Sequence, residues 1–176
     1  MVFDINKKIP LNKGKFDLRR QDYTVKGEIG EIIIKNKIPY LRRTREIRPS
    51  DILDYNFPFG DLPSKVKEFL RKNWHTIDLF RFSCKDSKFH NLELYEVKVR
   101  NYYPNLRREA YIPDITHNEL KVYKTALKLG FLVKSATIWF YDDWRYDIFI
   151  KDFNPKDFKI HDGSKRFLNF LKNSSK

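Results

Sequence analysis

The sequence has a single cysteine, Cys84, and a single methionine in 176 residues. One cysteine excludes an internal disulfide and a zinc site built from several thiolates. No stretch approaches the roughly 18 consecutive apolar residues that a membrane span requires. The first eight residues lack the charged-then-apolar order of a signal peptide. We therefore expect an intracellular, cytoplasmic protein with no membrane among its partners.

Positive charge is in excess. The chain has 36 lysines and arginines against 23 acidic residues, a formal net charge of +13. Residues 7–48 alone hold thirteen basic and five acidic side chains. Such a surface can be merely solvated or can bind a membrane surface, but its commonest partner is nucleic acid. Because 41% of the residues are hydrophobic, we also expect a packed core rather than disorder.

Hydrophobic periodicity predicts one α/β domain with a central mixed β-sheet flanked by helices. Helices are predicted over residues 22–37, 65–73 and 117–129, and strands over 74–82, 92–100, 132–141 and 146–150. Ser64 is expected to cap the second helix, and Thr116 and Glu119 have the spacing of a capping box before the third. We divide the chain into a basic N-terminal arm (1–20), a core (21–152) and a C-terminal tail with a short helix (153–176).

Asp78, Glu96 and Lys98 are predicted to lie on the two strands of one hairpin. Alternate residues of a strand share a face, so Glu96 and Lys98 point to the same side about 6.6–6.8 Å apart. Divalent cations such as Mg²⁺ bind carboxylate oxygens together with water and phosphate. A lysine beside that cation can orient or deprotonate the attacking water. The set suits phosphodiester hydrolysis, and the alternative is an ordinary surface ion pair between Glu96 and Lys98.

These residues resemble the PD-(D/E)XK nuclease superfamily, whose core has an acidic first helix, an aspartate on one strand and Glu-x-Lys on the next. The segment 27–34 resembles that first helix, Asp78 the aspartate, and Glu96-Val97-Lys98 the Glu-x-Lys motif. Archaeal Holliday-junction resolvases and Mrr-like restriction nucleases carry similar motifs. The resemblance covers residues 24–150. The proline of the family signature is missing, and the additional strand that the family has before Asp78 would come from residues 40–52 or be hidden by insertions.

The resemblance implies a restriction-endonuclease-like fold and a DNA endonuclease that depends on Mg²⁺ or Mn²⁺. Asp78, Glu96 and a glutamate of the first helix would bind the metal, and Lys98 would be catalytic. Helical geometry leaves both Glu28 and Glu31 open, and the Gly-x-x-Gly-Glu pattern of the family favours Glu31. The partner would be duplex or branched DNA, and a homodimer would suit paired cuts in two strands.

Arginines and tyrosines flank the predicted site on both sides along the chain. Arginine can clamp phosphates, and tyrosine can stack on bases, so we expect these residues to contact nucleic acid. They are Arg42, Arg43 and Arg45 before the site and Arg100, Tyr102, Tyr103, Arg107 and Arg108 after it. An ordinary exposed loop is the alternative for the second group.

The third helix carries two residues, Glu119 and Tyr123, that have more than one possible role. Glu119 and Tyr123 lie four residues apart, where some family members carry Gln and Tyr that touch the substrate. We expect Glu119 to cap the helix and Tyr123 to pack.

The chain as a whole could instead be a non-catalytic nucleic-acid-binding module on the same fold. It could also be an interaction protein whose basic surface meets an acidic partner.

Overall fold

The computed structural model describes residues 23–48, 50, 62–82, 92–102, 112–141 and 145–161. Helices α1 (Tyr23–Lys37), α2 (Ser64–Asn73) and α3 (His117–Lys128) lie within these ranges. The strands are β1 (Arg42–Arg43), β2 (Leu79–Phe82), β3 (Leu92–Asn101), β4 (Asp114–Thr116), β5 (Leu132–Phe140), β6 (Tyr146–Asp152) and β7 (Lys159–His161). The predicted basic arm and the predicted last helix lie outside the described residues.

Five of these strands form one mixed sheet in the order β1-β2-β3-β5-β6. Strands β3 and β5 are parallel, and the other neighbouring pairs are antiparallel. Strands β4 and β7 form a separate parallel pair. The mixed α/β architecture predicted from the sequence is therefore confirmed, and β1 supplies a strand before Asp78.

The two faces of the sheet bury different helices. On one face Ile33 and Ile34 of α1 pack with Tyr95 and Val97 of β3. On the other face apolar residues of α2 and α3 pack over the even-numbered Leu92 and Leu94 of the same strand. Because side chains alternate along a strand, Glu96 and Lys98 also point toward the α2–α3 side.

Two local predictions were wrong. Residues Trp74–Thr76 form a 3-10 turn rather than the start of a strand, and β2 begins only at Leu79. The indole nitrogen of Trp74 donates to the carbonyls of Thr44 and Ile47 at 2.9 and 2.8 Å, so a tertiary contact overrides the local strand propensity. Asp78 consequently lies just before β2 and not within it.

The second error concerns the start of α2. Ser64 is the first helical residue, and Pro63 occupies the N-cap position with no side-chain hydrogen bond. The carbonyl of Pro63 already accepts from Val66 N at 2.8 Å, which places the cap one residue earlier than predicted. The capping box of Thr116 and Glu119, by contrast, is confirmed in full.

The end of the described chain packs against the core. Phe153 and Phe158 belong to the buried cluster that α2 and α3 cover. Strand β7 pairs with β4 immediately before α3. The segment assigned to the tail therefore contributes two buried phenylalanines and one paired strand to the fold.

The two glycines of α1 have different surroundings. A Cβ atom on Gly30 would lie 2.3 Å from Val99 Cγ2 and 3.3 Å from Ile138 Cδ1, which shows how closely α1 crosses the sheet. A Cβ atom on Gly27 would meet nothing within 4 Å. Only Gly30 is therefore required for close packing.

The matched pair Gly30→Ala and Gly27→Ala tests this packing. We expect Gly30→Ala to lower the free energy of unfolding by about 1–3 kcal/mol, because overpacking displaces Val99. Gly27→Ala should raise it by up to about 1 kcal/mol, because alanine is the better helix former. Urea unfolding of both variants measures the difference. Equal stabilisation by the two changes would contradict the close crossing.

Candidate active site

Three of the four predicted catalytic side chains meet where β2 begins beside the middle of β3. Continued by one residue, the β2–β3 register sets Asp78 opposite Glu96, and directly opposed residues share a face. Asp78 Oδ2 accepts a hydrogen bond from Val97 N at 2.7 Å. The ammonium of Lys98 forms an ion pair with Glu96 Oε1.

A second carboxylate holds Lys98 from the opposite side. Glu119 Oε1 accepts from Lys98 Nζ at 3.1 Å, while Glu119 Oε2 accepts from Thr116 N at 2.7 Å. Burial alone would lower the pKa of Lys98, but attraction to Glu96 and Glu119 raises it above its usual range. Lys98 therefore stays protonated at neutral pH. The capping pattern predicted only one of the two interactions of Glu119.

Glu96 is a buried carboxylate whose charge is only partly offset. Its exposed fraction is 1%, and apart from the ion pair of Oε1 with Lys98 neither oxygen has a hydrogen bond of normal geometry among the described residues. Burial raises the pKa of Glu96, and the Lys98 cation only partly offsets this. The pKa of Asp78 is raised as well, mainly by burial and in addition by repulsion from Glu96. Raised carboxyl pKa values around one lysine are typical of functional sites.

Glu93, three residues earlier on β3, shows the opposite environment. Its carboxylate accepts from Arg81 Nε and Nη2 at 2.6 and 3.1 Å and from the hydroxyl of Tyr95 at 2.7 Å. Burial alone would raise the pKa of Glu93, but these hydrogen bonds outweigh it and lower the pKa. A satisfied structural carboxylate and an unsatisfied one thus occupy the same strand.

The structure distinguishes the two glutamates of α1. Glu31 is 3% exposed, and its charge contributes to the raised pKa of Asp78. Glu31 Oε2 accepts from Arg43 Nε at 2.8 Å, and Glu31 Oε1 accepts from Arg45 Nη2 at 2.5 Å. Glu28 is about half exposed and pairs with Arg45 Nη1 at 2.9 Å. Glu31 is therefore held by two arginines, and its link to the site is its electrostatic repulsion of Asp78.

The other predicted nucleic-acid contacts have mixed surroundings. Arg42 is exposed on β1. Arg100 Nη2 forms an ion pair with Asp114 at 2.9 Å, and the ring of Tyr102 lies 4.8 Å from that of Tyr141. Three further predicted contacts lie outside the described residues: Tyr103, Arg107 and Arg108.

The carboxylates of the site can be compared with the ligands that a divalent cation requires. Among the described residues no group of three or more His, Cys, Asp or Glu side chains could hold a metal by itself. Mg²⁺, however, commonly uses one or two carboxylates and completes its shell with water and substrate phosphate. Asp78 and Glu96 supply two adjacent carboxylates, and Glu96 Oε2, which has no hydrogen bond of normal geometry, fits that requirement.

Comparisons of the chain with protein-family models, curated proteins and solved structures found no match. The resemblance to PD-(D/E)XK nucleases therefore stays a prediction from the sequence. Within the described ranges, no helix is long and apolar enough to cross a membrane.

Replacing Glu93 or Glu96 by glutamine should change the free energy of unfolding by different amounts. Glu93→Gln leaves Arg81 without its charged partner, so we expect the free energy of unfolding at neutral pH to fall by about 1–3 kcal/mol. Glu96→Gln removes a buried charge that repels Asp78 but also one of the two partners of Lys98, so we expect stability to change by less than about 1 kcal/mol. Urea unfolding at several pH values measures both effects.

The pH dependence of the free energy of unfolding is the control for the Glu93→Gln variant. A lowered carboxyl pKa stabilises the fold above the pKa of the unfolded chain, and this stability is lost as the pH falls through the lower pKa of the folded state. The difference between the wild type and Glu93→Gln should therefore shrink in acid. A constant difference across that range would contradict the assigned role of the Glu93 charge.

Proposed function

We propose that the protein is a metal-dependent endonuclease that hydrolyses phosphodiester bonds in DNA on a restriction-endonuclease-like core of the PD-(D/E)XK type. The juxtaposition of Asp78, Glu96 and Lys98, with the pKa of both carboxyl groups raised by burial, carries this proposal. A buried carboxylate whose charge is only partly offset destabilises a fold. Its presence beside a second acid and a lysine favours a catalytic role over a structural one.

Each side chain has a role in this proposal. Asp78 and Glu96 would hold Mg²⁺ or Mn²⁺, with Glu31 as the third predicted ligand. The bound cation supplies a Lewis acid for the phosphate and lowers the pKa of a water molecule. Lys98, kept protonated by its two carboxylate neighbours, donates hydrogen bonds to the attacking water or to a phosphate oxygen.

Glu119 acts through Lys98 in this proposal. One of its oxygens is fixed to the backbone at the start of α3, and the other receives the lysine. The rigid helix end therefore orients the ammonium toward Glu96. Glu119 is a positioning residue.

Nucleic acid is the substrate best suited to the charge of the chain. The net charge of +13 attracts a polyanion, and the arginines of β1 and the following turn lie next to the carboxylates. A basic rim beside an acidic pocket brings a phosphate to the place where a divalent cation would bind.

Cleavage of plasmid and branched DNA with Mg²⁺ tests the proposal. We expect Glu96→Gln and Lys98→Gln each to lower the rate by about 10²–10⁴-fold, because each removes a group required at the reacting phosphate. Lys128→Ala, an exposed change at the far end of α3, is the charge-matched control and should retain full activity. Metal-dependent cleavage that survives both active-site changes would refute the assignment.

The pairing of Glu31 with two arginines favours a second candidate, a non-catalytic nucleic-acid-binding protein on the same fold. In that case the protein would bind DNA with a strong dependence on salt but would bind no Mn²⁺. Calorimetric titration with Mn²⁺ distinguishes the two, because a nuclease of the proposed type binds the cation through Asp78 and Glu96.

A further inference from the structure

Strand β6 forms one edge of the five-stranded sheet, and no strand lies beyond it among the described residues. It is seven residues long and contains neither proline nor glycine. Two of its apolar side chains are exposed, Phe149 by 55% and Ile150 by 42%. An edge strand with these properties is a template for pairing with another strand.

The backbone groups on the outer edge of β6 belong to its even-numbered residues. Tyr141 N donates to the carbonyl of Arg145 at 2.8 Å, and Phe153 N donates to that of Val133 at 2.9 Å, at the two ends of the β5–β6 pairing. Hydrogen-bonded and non-hydrogen-bonded pairs alternate along an antiparallel ladder, so the odd-numbered residues of β6 bond to β5. The N–H and C=O groups of the even-numbered residues consequently point away from the sheet.

The sequence of β6 is complementary to itself in the antiparallel direction. Residues 147–151 are Asp-Ile-Phe-Ile-Lys. When two copies pair about Phe149, Asp147 of each copy lies opposite Lys151 of the other, and Ile148 lies opposite Ile150. The even-numbered residues then face one another, as the direction of the outer backbone groups requires.

Only this register sets opposite charges against each other. A shift of two residues also keeps the even-numbered residues opposite one another, but it places either Asp147 or Lys151 opposite Phe149. Both ion pairs are lost in either case. Because cross-strand pairs of opposite charge stabilise a sheet, the register centred on Phe149 is favoured.

Both charged side chains can take a second partner. Asp147 is exposed, and the hydroxyl of Tyr141 donates to its Oδ2. Lys151 has a side chain that is 57% exposed and forms an ion pair with Asp157 at 2.8 Å. A carboxylate has a second oxygen and an ammonium has three donors, so neither contact has to break when a second copy pairs.

We propose that β6 is a homodimer interface, in which two copies of the chain pair antiparallel about Phe149 and join their sheets. Each copy uses the same edge, so the interface is isologous and closed. The opposite edge of the described sheet is β1, whose two residues offer little to a further copy.

The pairing fixes how the two candidate sites are related. Lys98 is in register with Thr137, and Thr137 is in register with Phe149. Directly opposed residues share a face, so Lys98 of both protomers would lie on the same face of the joined sheet. The interface itself does not depend on the proposed nuclease activity.

Charge exchange across the proposed pair tests the interface. Asp147→Lys and Lys151→Asp each set like charges opposite one another, so we expect each to weaken dimerisation by about 5–100-fold. The double variant restores opposite charges and should regain the affinity of the wild type. Lys128→Asp, an exposed charge reversal on α3, is the matched control and should leave dimerisation unchanged. Sedimentation equilibrium over a range of protein concentrations measures the dissociation constants.

A mixture of the two single variants distinguishes a lost interface from a damaged fold. A heterodimer of Asp147→Lys with Lys151→Asp has opposite charges at both pairs. We therefore expect heterodimers at concentrations where each variant alone is monomeric, which a misfolded variant would not form. A wild type that stays monomeric throughout the range, or single variants that dimerise as tightly as the wild type, would overturn the proposal.

Amide hydrogen exchange locates the contact along the strand. The amides of Ile148 and Ile150 should exchange more slowly at high than at low protein concentration, because the outer N–H groups gain partners only in the dimer. The amide of Phe149, which bonds to β5 in either state, should not change. Slow exchange of Ile148 that is independent of concentration would show that the same chain covers this edge, and would reject the dimer. None of these measurements uses cleavage, so their failure leaves the nuclease proposal standing.

Discussion

The antiparallel pairing of β2 with β3 is the constraint on which the candidate site depends. Its register sets Asp78 beside the backbone nitrogen of Val97 and opposite Glu96. Because side chains alternate between the two faces, a slip of one residue would separate the carboxylates. The hydrophobic residues of β3 oppose such a slip, since those on one face pack under α1 and those on the other under α2 and α3.

Strand β3 shows how one residue type serves two purposes. Glu93 is fully hydrogen-bonded and stabilises the pairing of its strand with β2. Glu96 has the same side chain and similar burial, and it too has a cation beside it, Lys98. The difference is that Lys98 is shared with Glu119 and that a second acid, Asp78, lies beside Glu96. Destabilisation is concentrated where chemistry is proposed, as expected when function and stability compete.

Regular local patterns predicted much of the fold and part of the site. The alternation along 92–100 placed Glu96 and Lys98 on one face, and the capping box placed the start of α3. The two-residue strand β1 carries too little periodicity to be recognised. The contacts of Arg43 and Arg45 with Glu31 join residues 12 and 14 positions apart, so they depend on tertiary packing that no sequence spacing expresses. From the sequence, therefore, DNA is the only partner expected for these arginines.

The charges of the candidate site are not balanced within the protein. The two arginines that hold Glu31 also pair with Glu46 and Glu28, so their charge is shared among several carboxylates. Lys98 is likewise shared by Glu96 and Glu119. Burial therefore raises the pKa of Asp78 and of Glu96 despite the lysine beside them. If the proposed cation binds between these two carboxylates, it would favour their ionised forms and offset the destabilisation that their burial causes.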